Sequence, residues 1–450
     1  MRQLENGIKP SFNSPFVNLA LELTTSILSH LGDDTCSLLS CSLTNKCFTF
    51  PSRTVLVRTI ALEAPTGEDL YKKYVAFRHF LITAKSSSLA RSIRFLTLRF
   101  GRAFSWAEKQ DYYQLEKDTT LASTLSLIVN LKSLTIHNGR DPLVTFPGTL
   151  CPSLLTLFAS PSLRNLELRG IKKMDDVYLQ HFTNLKHLAL VDGFLMTKDK
   201  KRDHTTGLNN MKKCSLKSLS ISLCHELIFG QLTALSLSPT STFDISQLQA
   251  CHFLFAQSCA PWEVEHRGID AWNAALLCKD TLEVFHWHWH PSSPIDPLCL
   301  DISMLPSLRH LSIALEPTRF LRRVLGNTSE VLDLAVLGNA IESVDVGIQL
   351  SEYRTRQSFA VESGKRRWME LDACLSSPFR FRCLKKVEIT LFIKSEEGTS
   401  PTGDDAGYYR EKLMLNFPLL LERGCGVFRV VHCSGTMNFI YDGPPNSDLY

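Results

Sequence analysis

Residues 163–169 read LRNLELR, and residues 185–191 read LKHLALV. Both stretches place apolar side chains at the first, fourth and sixth positions, with polar or small ones between. The end of each alternates, which is the period of a strand with one buried face. The same spacing recurs at Ile93-Leu96-Leu98, Leu131-Leu134-Ile136, Leu216-Leu219-Ile221, Leu232-Leu235-Leu237, Leu282-Phe285-Trp287 and Leu308-Leu311-Ile313. Looser copies stand at Ile341-Val344-Val346 and Leu384-Val387-Ile389. Successive copies start 38, 32, 22, 31, 16, 50, 26, 33 and 43 residues apart. Repetition of this kind predicts a stack of similar units. The 16-residue step is too short for strand plus helix, so a plain loop is expected there.

The motif is that of the strand in a leucine-rich repeat, whose regular period is about 20–29 residues. The longer steps therefore imply insertions. Between strands, Leu70, Tyr74, Phe77 and Leu81 share one helical face. Ala271 to Cys278 predicts a second helix, and Met174 to Phe182 a third. Strand and helix in alternation imply a parallel sheet with helices behind it. The expected fold class is α/β: an irregular leucine-rich-repeat-like solenoid over residues 63–436, with the parallel sheet on the concave side and helices on the convex side. A long exposed sheet of this kind suits a protein target. Residues 395–407 (SEEGTSPTGDDAG) lack apolar anchors and are expected to form a flexible loop. Residues 1–14 read as an N-terminal tail and 437–450 as a C-terminal segment and tail.

Composition narrows the function. Of 450 residues, 44% are hydrophobic, enough for a large core. The 49 Lys and Arg nearly balance 45 Asp and Glu, so no nucleic-acid partner is expected. No apolar run reaches the ~18–20 residues of a membrane span, and Met1 to Asn18 lacks the apolar core of a secretory signal. No membrane partner is expected, and the expected location is cytoplasmic and/or nuclear. The 14 cysteines form no C-x-x-C pair and lie mostly in apolar runs, as at Cys41, Cys224, Cys251, Cys278 and Cys383. They read as buried free thiols rather than disulfides or zinc ligands. Basic runs at Lys198 to Arg202 and Lys365-Arg366-Arg367 read as solvated loops.

Residues 15–62 read as a separate module. Leu23, Ile27, Leu28 and Leu31 form one helical face, which Gly32 ends. Asp33, Asp34 or Thr35 can cap a second helix carrying Leu38, Leu39, Leu43 and Phe48. Pro51 is placed to open a short third turn. Three short helices bury little surface, so the module is expected to lean on a partner or on the repeats. On Leu19, Glu22, Leu23, Ile27, Leu28, Leu31, the run Leu38 to Leu43, Phe48, Ser52-Arg53 and Ile60-Ala61-Leu62, this stretch resembles an F-box. The whole chain resembles the fungal F-box proteins with a C-terminal leucine-rich-repeat-like domain. Trp368 to Leu375, Leu384 to Leu391 and Phe417 to Val431 continue the likeness.

The resemblance implies a substrate-recognition subunit of a cullin–RING (SCF-type) ubiquitin ligase. The module would bind the Skp-family adaptor and, through it, cullin, while the repeats bind a target protein. The implied adaptor surface is Leu19, Ala20, Glu22, Ile27, Leu28, Leu31, Leu43 and Phe48. Ile27, Leu28 and Leu43 also suit the module's own core; for Ile27 and Leu43 the two readings are even, whereas Leu19 and Ala20 suit the interface better. Two positions depart from the family: Ala20 where proline is usual, and Phe48 where tryptophan is frequent. Alanine lacks proline's fixed turn, and phenylalanine lacks tryptophan's area and N–H donor. Ala20 keeps open an alternative, a non-ligase repeat scaffold with a degenerate F-box.

On each strand, the residues between the apolar positions face away from the core. This reading selects Glu167, Arg169, Ser220, Ser236, His286, His288 and His310 as substrate-facing candidates on a mixed, hydroxyl-rich surface. Residues 285–290 read FHWHWH, which puts His286, His288 and His290 on one face of a strand and Trp287 towards the core. Zinc sites usually draw ligands from several elements, so these read as structural or target-contacting histidines; no metal or cofactor is expected. The chain has no G-x-S-x-G, Walker A, G-x-G-x-x-G or H-E-x-x-H motif, so no catalysis is expected. A hydrolase on a repeat framework would need a Cys/His or Ser/His constellation in one pocket.

Overall fold

The computed structural model describes residues 21–31, 34–44, 46–63, 67–83, 87–100, 120–138, 151–171, 173–175, 178–179, 181–191, 195–197, 213–222, 227–238, 243–254, 261–289, 301–315, 340–351, 355, 359, 362–395 and 403–434. The fold is α/β with a large parallel sheet. The chain forms two compact units, residues 1–141 with 147–164, and 142–146 with 165–450.

The first unit opens with helices α1 (Leu21–Ser29), α2 (Thr35–Thr44) and α3 (Lys46–Leu56). Asp34 caps α2: its carboxylate accepts the Ser37 N–H at 3.0 Å and the Ser37 hydroxyl at 2.6 Å. Those bonds, the hydroxyl's first, hold the Asp34 carboxyl below its usual range. Helix α3 packs on both α1 and α2, and the Thr49 hydroxyl donates to the Ser42 carbonyl at 2.9 Å. Two expectations shift here. Pro51 lies buried inside α3 rather than opening it, and Phe48 belongs to α3 rather than to the second helix.

Strand β1 (Thr59–Glu63) follows directly, so Ile60-Ala61-Leu62 serve the sheet. Then come α4 (Gly67–Ile82), α5 (Ser87–Ala90), β2 (Phe95–Phe100), α6 (Thr120–Leu125), β3 (Ser133–Asn138) and α7 (Cys151–Phe158). The face predicted for α4 is buried through Tyr74, Phe77 and Leu81. Parallel pairing aligns Leu62 with Leu98, and Leu98 with Ile136.

The second unit carries the strands of one ladder: β4 (Asn165–Arg169), β6 (His187–Val191), β9 (Ser218–Ser222), β11 (Ala250–Leu254), β12 (Val284–Trp289), β13 (His310–Leu315), β14 (Ser343–Ser351), β15 (Lys386–Ser395) and β16 (Gly426–Ser434). Two small parallel pairs stand apart from it, β5 (Lys173–Asp175) with β7 (Leu195–Thr197), and β8 (Cys214–Ser215) with β10 (Phe243–Asp244). The helices are α8 (Leu227–Leu237), α9 (Pro261–Leu277), α10 (Glu362–Ser376), α11 (Gly403–Leu415) and α12 (Pro418–Arg423).

The apolar positions of the ladder line up in register. Leu166, Leu188, Leu219, Cys251, Phe285, Leu311, Val344 and Val387 form one buried row across the strands. Helices pack on this face. Phe229 of α8 meets Phe253 with ring centroids 4.9 Å apart, and Trp272 of α9 meets Phe285 at 5.9 Å. Trp287 is buried there as expected. Asp372 of α10 caps α12, accepting the Leu419 and Leu420 N–H groups at 2.9 and 3.0 Å. Gly424 ends α12 at φ 70°, in the left-handed region that favours glycine, and its N–H donates to the Leu421 carbonyl.

One backbone device recurs. The carbonyl of the residue before a strand accepts two N–H groups from the next unit. The Lys186 carbonyl takes Lys217 and Ser218, the Lys217 carbonyl takes Gln249 and Ala250, and the Gln249 carbonyl takes Glu283 and Val284. Arg58 and Arg94 do the same in the first unit. Both lone pairs of each such oxygen are used.

Several expectations are corrected. Leu232 to Leu237 is not a strand but the end of α8, which moves Ser236 off the sheet. The strand is β11, from Leu248-Cys251-Phe253, and with this copy the 16- and 50-residue steps become 32 and 34. Cysteine and phenylalanine at the inward positions concealed it, while α8 is apolar enough to mimic the motif. Met174 lies in β5 rather than in a helix. Gly403 to Gly407, read as part of a flexible loop, form the start of α11, while 396–402 lie outside the described residues. The tails at 1–14 and 437–450 also lie outside them. The described cysteines are free thiols; Cys214, Cys251, Cys278, Cys374 and Cys425 are buried, but Cys383 is exposed.

Candidate functional site

Because side chains alternate along a strand, the ladder that buries one row presents another. Across β9 to β15 the presented row reads Ser220, His252, His286, Ser312, Asp345 and Glu388, each register-paired with the next. The row after it reads Ser222, Leu254, His288, Ala314, Gly347 and Thr390. The second row shrinks to Ala314 and Gly347 at its centre, where Ser220, His252, His286, Ser312, Asp345 and Glu388 join Ser222, Leu254, Ala314, Gly347 and Thr390 in lining a cavity of about 300 Å³. A Cβ built on Gly347 would stand 3.3 Å from the Ala314 Cβ and 3.3 Å from the Phe392 ring.

The polar groups differ in character. The His252 and His286 rings meet edge to face, centroids 4.3 Å apart. Burial pushes His252 down to about 3, with His286 adding to the drop. Burial likewise lowers His286 to about 4, assisted by His310. Both imidazoles are therefore neutral at neutral pH. Glu388 is held by two cations, Lys386 Nζ at 2.6 Å and Arg429 Nε at 2.9 Å. Asp345 differs: its Oδ1 is shielded from solvent and has no hydrogen-bond partner among the described residues. Burial raises its pKa above the usual carboxylate range.

The expected target-facing residues divide. Ser220 and His286 line the cavity. His288 stands on the same strand, paired through its backbone with Leu254 and Ala314. His310 is exposed at the start of β13. Glu167 and Arg169 sit on β4 and pair with each other at 2.8 Å. Ser236 is the one that fails: buried in α8, its hydroxyl accepts the Ile245 N–H at 3.1 Å, a structural role. Sequence reading missed His252, Asp345, Gly347, Glu388 and Thr390. For Asp345, Gly347, Glu388 and Thr390 the signal was available in the alternate residues of the looser copies that begin at Ile341 and Leu384, whereas His252 lies on the strand that the pattern concealed. Among the described residues, no group of three His, Cys, Asp or Glu is arranged to hold a metal ion.

The helical module offers a second surface. Leu28 and Leu38 are buried and form its core. Ile27 is 50% exposed and Leu43 86% exposed, so neither contributes much to that core. They continue along helix faces through two residues left out of the implied adaptor surface: Leu23 precedes Ile27 by four, and Leu39 precedes Leu43 by four. Leu23, Leu39 and Phe50 are also exposed. Leu31 and Phe48 are half-buried. Glu22 lies in the first turn of α1, and Leu19 and Ala20 lie outside the described residues. Among the described residues, no helix is long and apolar enough to cross a membrane.

No family model matches the chain, and no curated protein matches it.

Proposed function

We propose that the chain is an F-box-type receptor subunit of a cullin–RING ubiquitin ligase. In this reading α1–α3 bind the Skp-family adaptor, and through it cullin, and the sheet face of a leucine-rich-repeat-like solenoid binds a target protein in the cytoplasm or nucleus. The observation that carries it is the inverted distribution of apolar side chains in α1–α3. Leu23, Ile27, Leu39, Leu43 and Phe50 are exposed in a module with few buried side chains of its own. Exposed leucines and phenylalanine on neighbouring helices are apolar surface of the kind that a protein partner covers. The in-register ladder and its cavity support the target-binding half. The receptor's contribution to catalysis is proximity: it holds the target where the partners' chemistry can reach it.

Copurification of the tagged chain with its own cell's adaptor and cullin tests this reading. The comparison is a double variant, Ile27→Asp with Leu43→Asp, chosen because both side chains are exposed and the fold does not need them. Adaptor and cullin that accompany the native chain and leave the folded variant support the proposal. Their absence from the native chain overturns it in favour of a repeat scaffold with a degenerate F-box.

A further inference from the structure

The geometry points to a pocket on β9–β15 that takes one cationic side chain, arginine or lysine, of the target polypeptide and seats its charge on Asp345. This rests on reading the sheet face as the target-binding surface, not on adaptor binding. The first support is the state of the two carboxylates. Glu388 is engaged by Lys386 and Arg429, whereas Asp345 Oδ1 is shielded from water and has no partner among the described residues. A carboxylate oxygen shielded in that condition is costly until a donor reaches it.

The second support is shape. Ala314 and Gly347 line the cavity beside Asp345 with little bulk of their own, and any side chain at position 347 would press on Ala314 and the Phe392 ring. A cavity of about 300 Å³ is small for a cofactor and suits one long side chain. Leu254 and Phe392 line it as well, giving apolar contact for an alkyl stem and an aromatic ring for a guanidinium.

The third support is that the two imidazoles lining the cavity add no competing positive charge, while Lys386 and Arg429, whose charge also reaches Asp345, are ion-paired with Glu388. His252 and His286 are neutral at neutral pH, and the hydroxyls of Ser220 and Ser312 can accept N–H donors. An anionic side chain would face Asp345 directly, and an apolar one would leave that carboxylate unpartnered.

The test uses the purified full chain and four degenerate peptide pools that differ at one fixed central residue: arginine, lysine, citrulline or norleucine. Citrulline keeps arginine's shape without its charge, and norleucine keeps lysine's stem. Retention of the arginine and lysine pools about tenfold or more above the neutral pools is the expected result. Asp345→Asn keeps the side chain's shape and is expected to reduce that preference to the neutral level; Gly347→Leu, which fills the cavity, is expected to do the same. Equal retention of all four pools by the native chain overturns the assignment, as does an undiminished preference in folded Asp345→Asn. The pool comparison needs no variant, so a misfolded variant leaves it standing. Adaptor copurification on the same preparation separates the two proposals. A chain that binds adaptor but ignores charge overturns the pocket alone, and one that selects cations but binds no adaptor overturns the ligase reading alone.

Discussion

The helical module and the sheet of the second unit solve the problem of burial in opposite ways. In α1–α3, Leu28 and Leu38 are buried while Ile27 and Leu43, on the same helices, are exposed. On the ladder, inward residues from Leu166 to Val387 are buried strand after strand, and the outward positions are mostly polar or small. The sheet is thus complete in itself, and the module keeps apolar area in reserve. Substitutions should therefore report stability in one region and binding in the other.

The sharpest separation is expected from Phe285→Ala. It removes a buried ring packed between Phe253, Trp272 and Trp287, and should cost about 3–5 kcal/mol in denaturant unfolding. A loss below about 1 kcal/mol would mean that the aromatic layer is not a cooperative part of the core.

Next is Asp372→Ala, which leaves the Leu419 and Leu420 N–H groups without their acceptor. A loss of about 1–3 kcal/mol is expected, with Asp372→Asn less severe because an amide oxygen can still accept. Equal effects from the two variants would argue against a capping role.

Acid should weaken the sheet through its histidines. The folded-state values of His252 and His286 are depressed to about 3 and about 4, so the unfolded chain binds protons more readily below its ordinary value of about 6.5. Their contribution is full above pH ~6.5 and is lost as pH falls through the folded values. Between pH 7 and 5 each should cost roughly 1–2 kcal/mol. Unfolding curves of the native chain and His286→Phe at both pH values check this, since the variant should show the shallower slope.

The smallest effect is expected where the module is most apolar. Leu43→Ser changes a side chain that is 86% exposed, and stability should stay within about 0.5 kcal/mol. The same variant should still impair adaptor capture. A large drop in stability would remove the contrast between the two regions.

Much of the ladder was legible because alternation with a fixed three-residue lead is a strong signal when leucine fills it. It failed where chemistry blurred the pattern. The apolar helix α8 satisfied the motif at Leu232, Leu235 and Leu237, while Cys251 and Phe253 hid the neighbouring strand. The site was harder. Asp345 and Gly347 are ordinary residues in sequence, and only lateral pairing of strands 33 to 43 residues apart brings them beside Ser312 and Glu388. In the module, helix periodicity identified the apolar faces, but not which leucine each face would bury. That depends on how α3 crosses its two neighbours.

The shared carbonyls that start many of the strands bear on how such a chain can change over generations. Register between neighbours such as β9, β11 and β12 is anchored by main-chain atoms at Lys186, Lys217 and Gln249 as well as by the buried row, and neither depends on the length of the segment between strands. A segment inserted between two strands must only return to that oxygen, and lengthening a loop is entropically cheap. Steps between strand motifs of 22 to 43 residues can then coexist in one continuous ladder. Insertions and deletions become a route to new binding faces, open to the lineage without rebuilding the core.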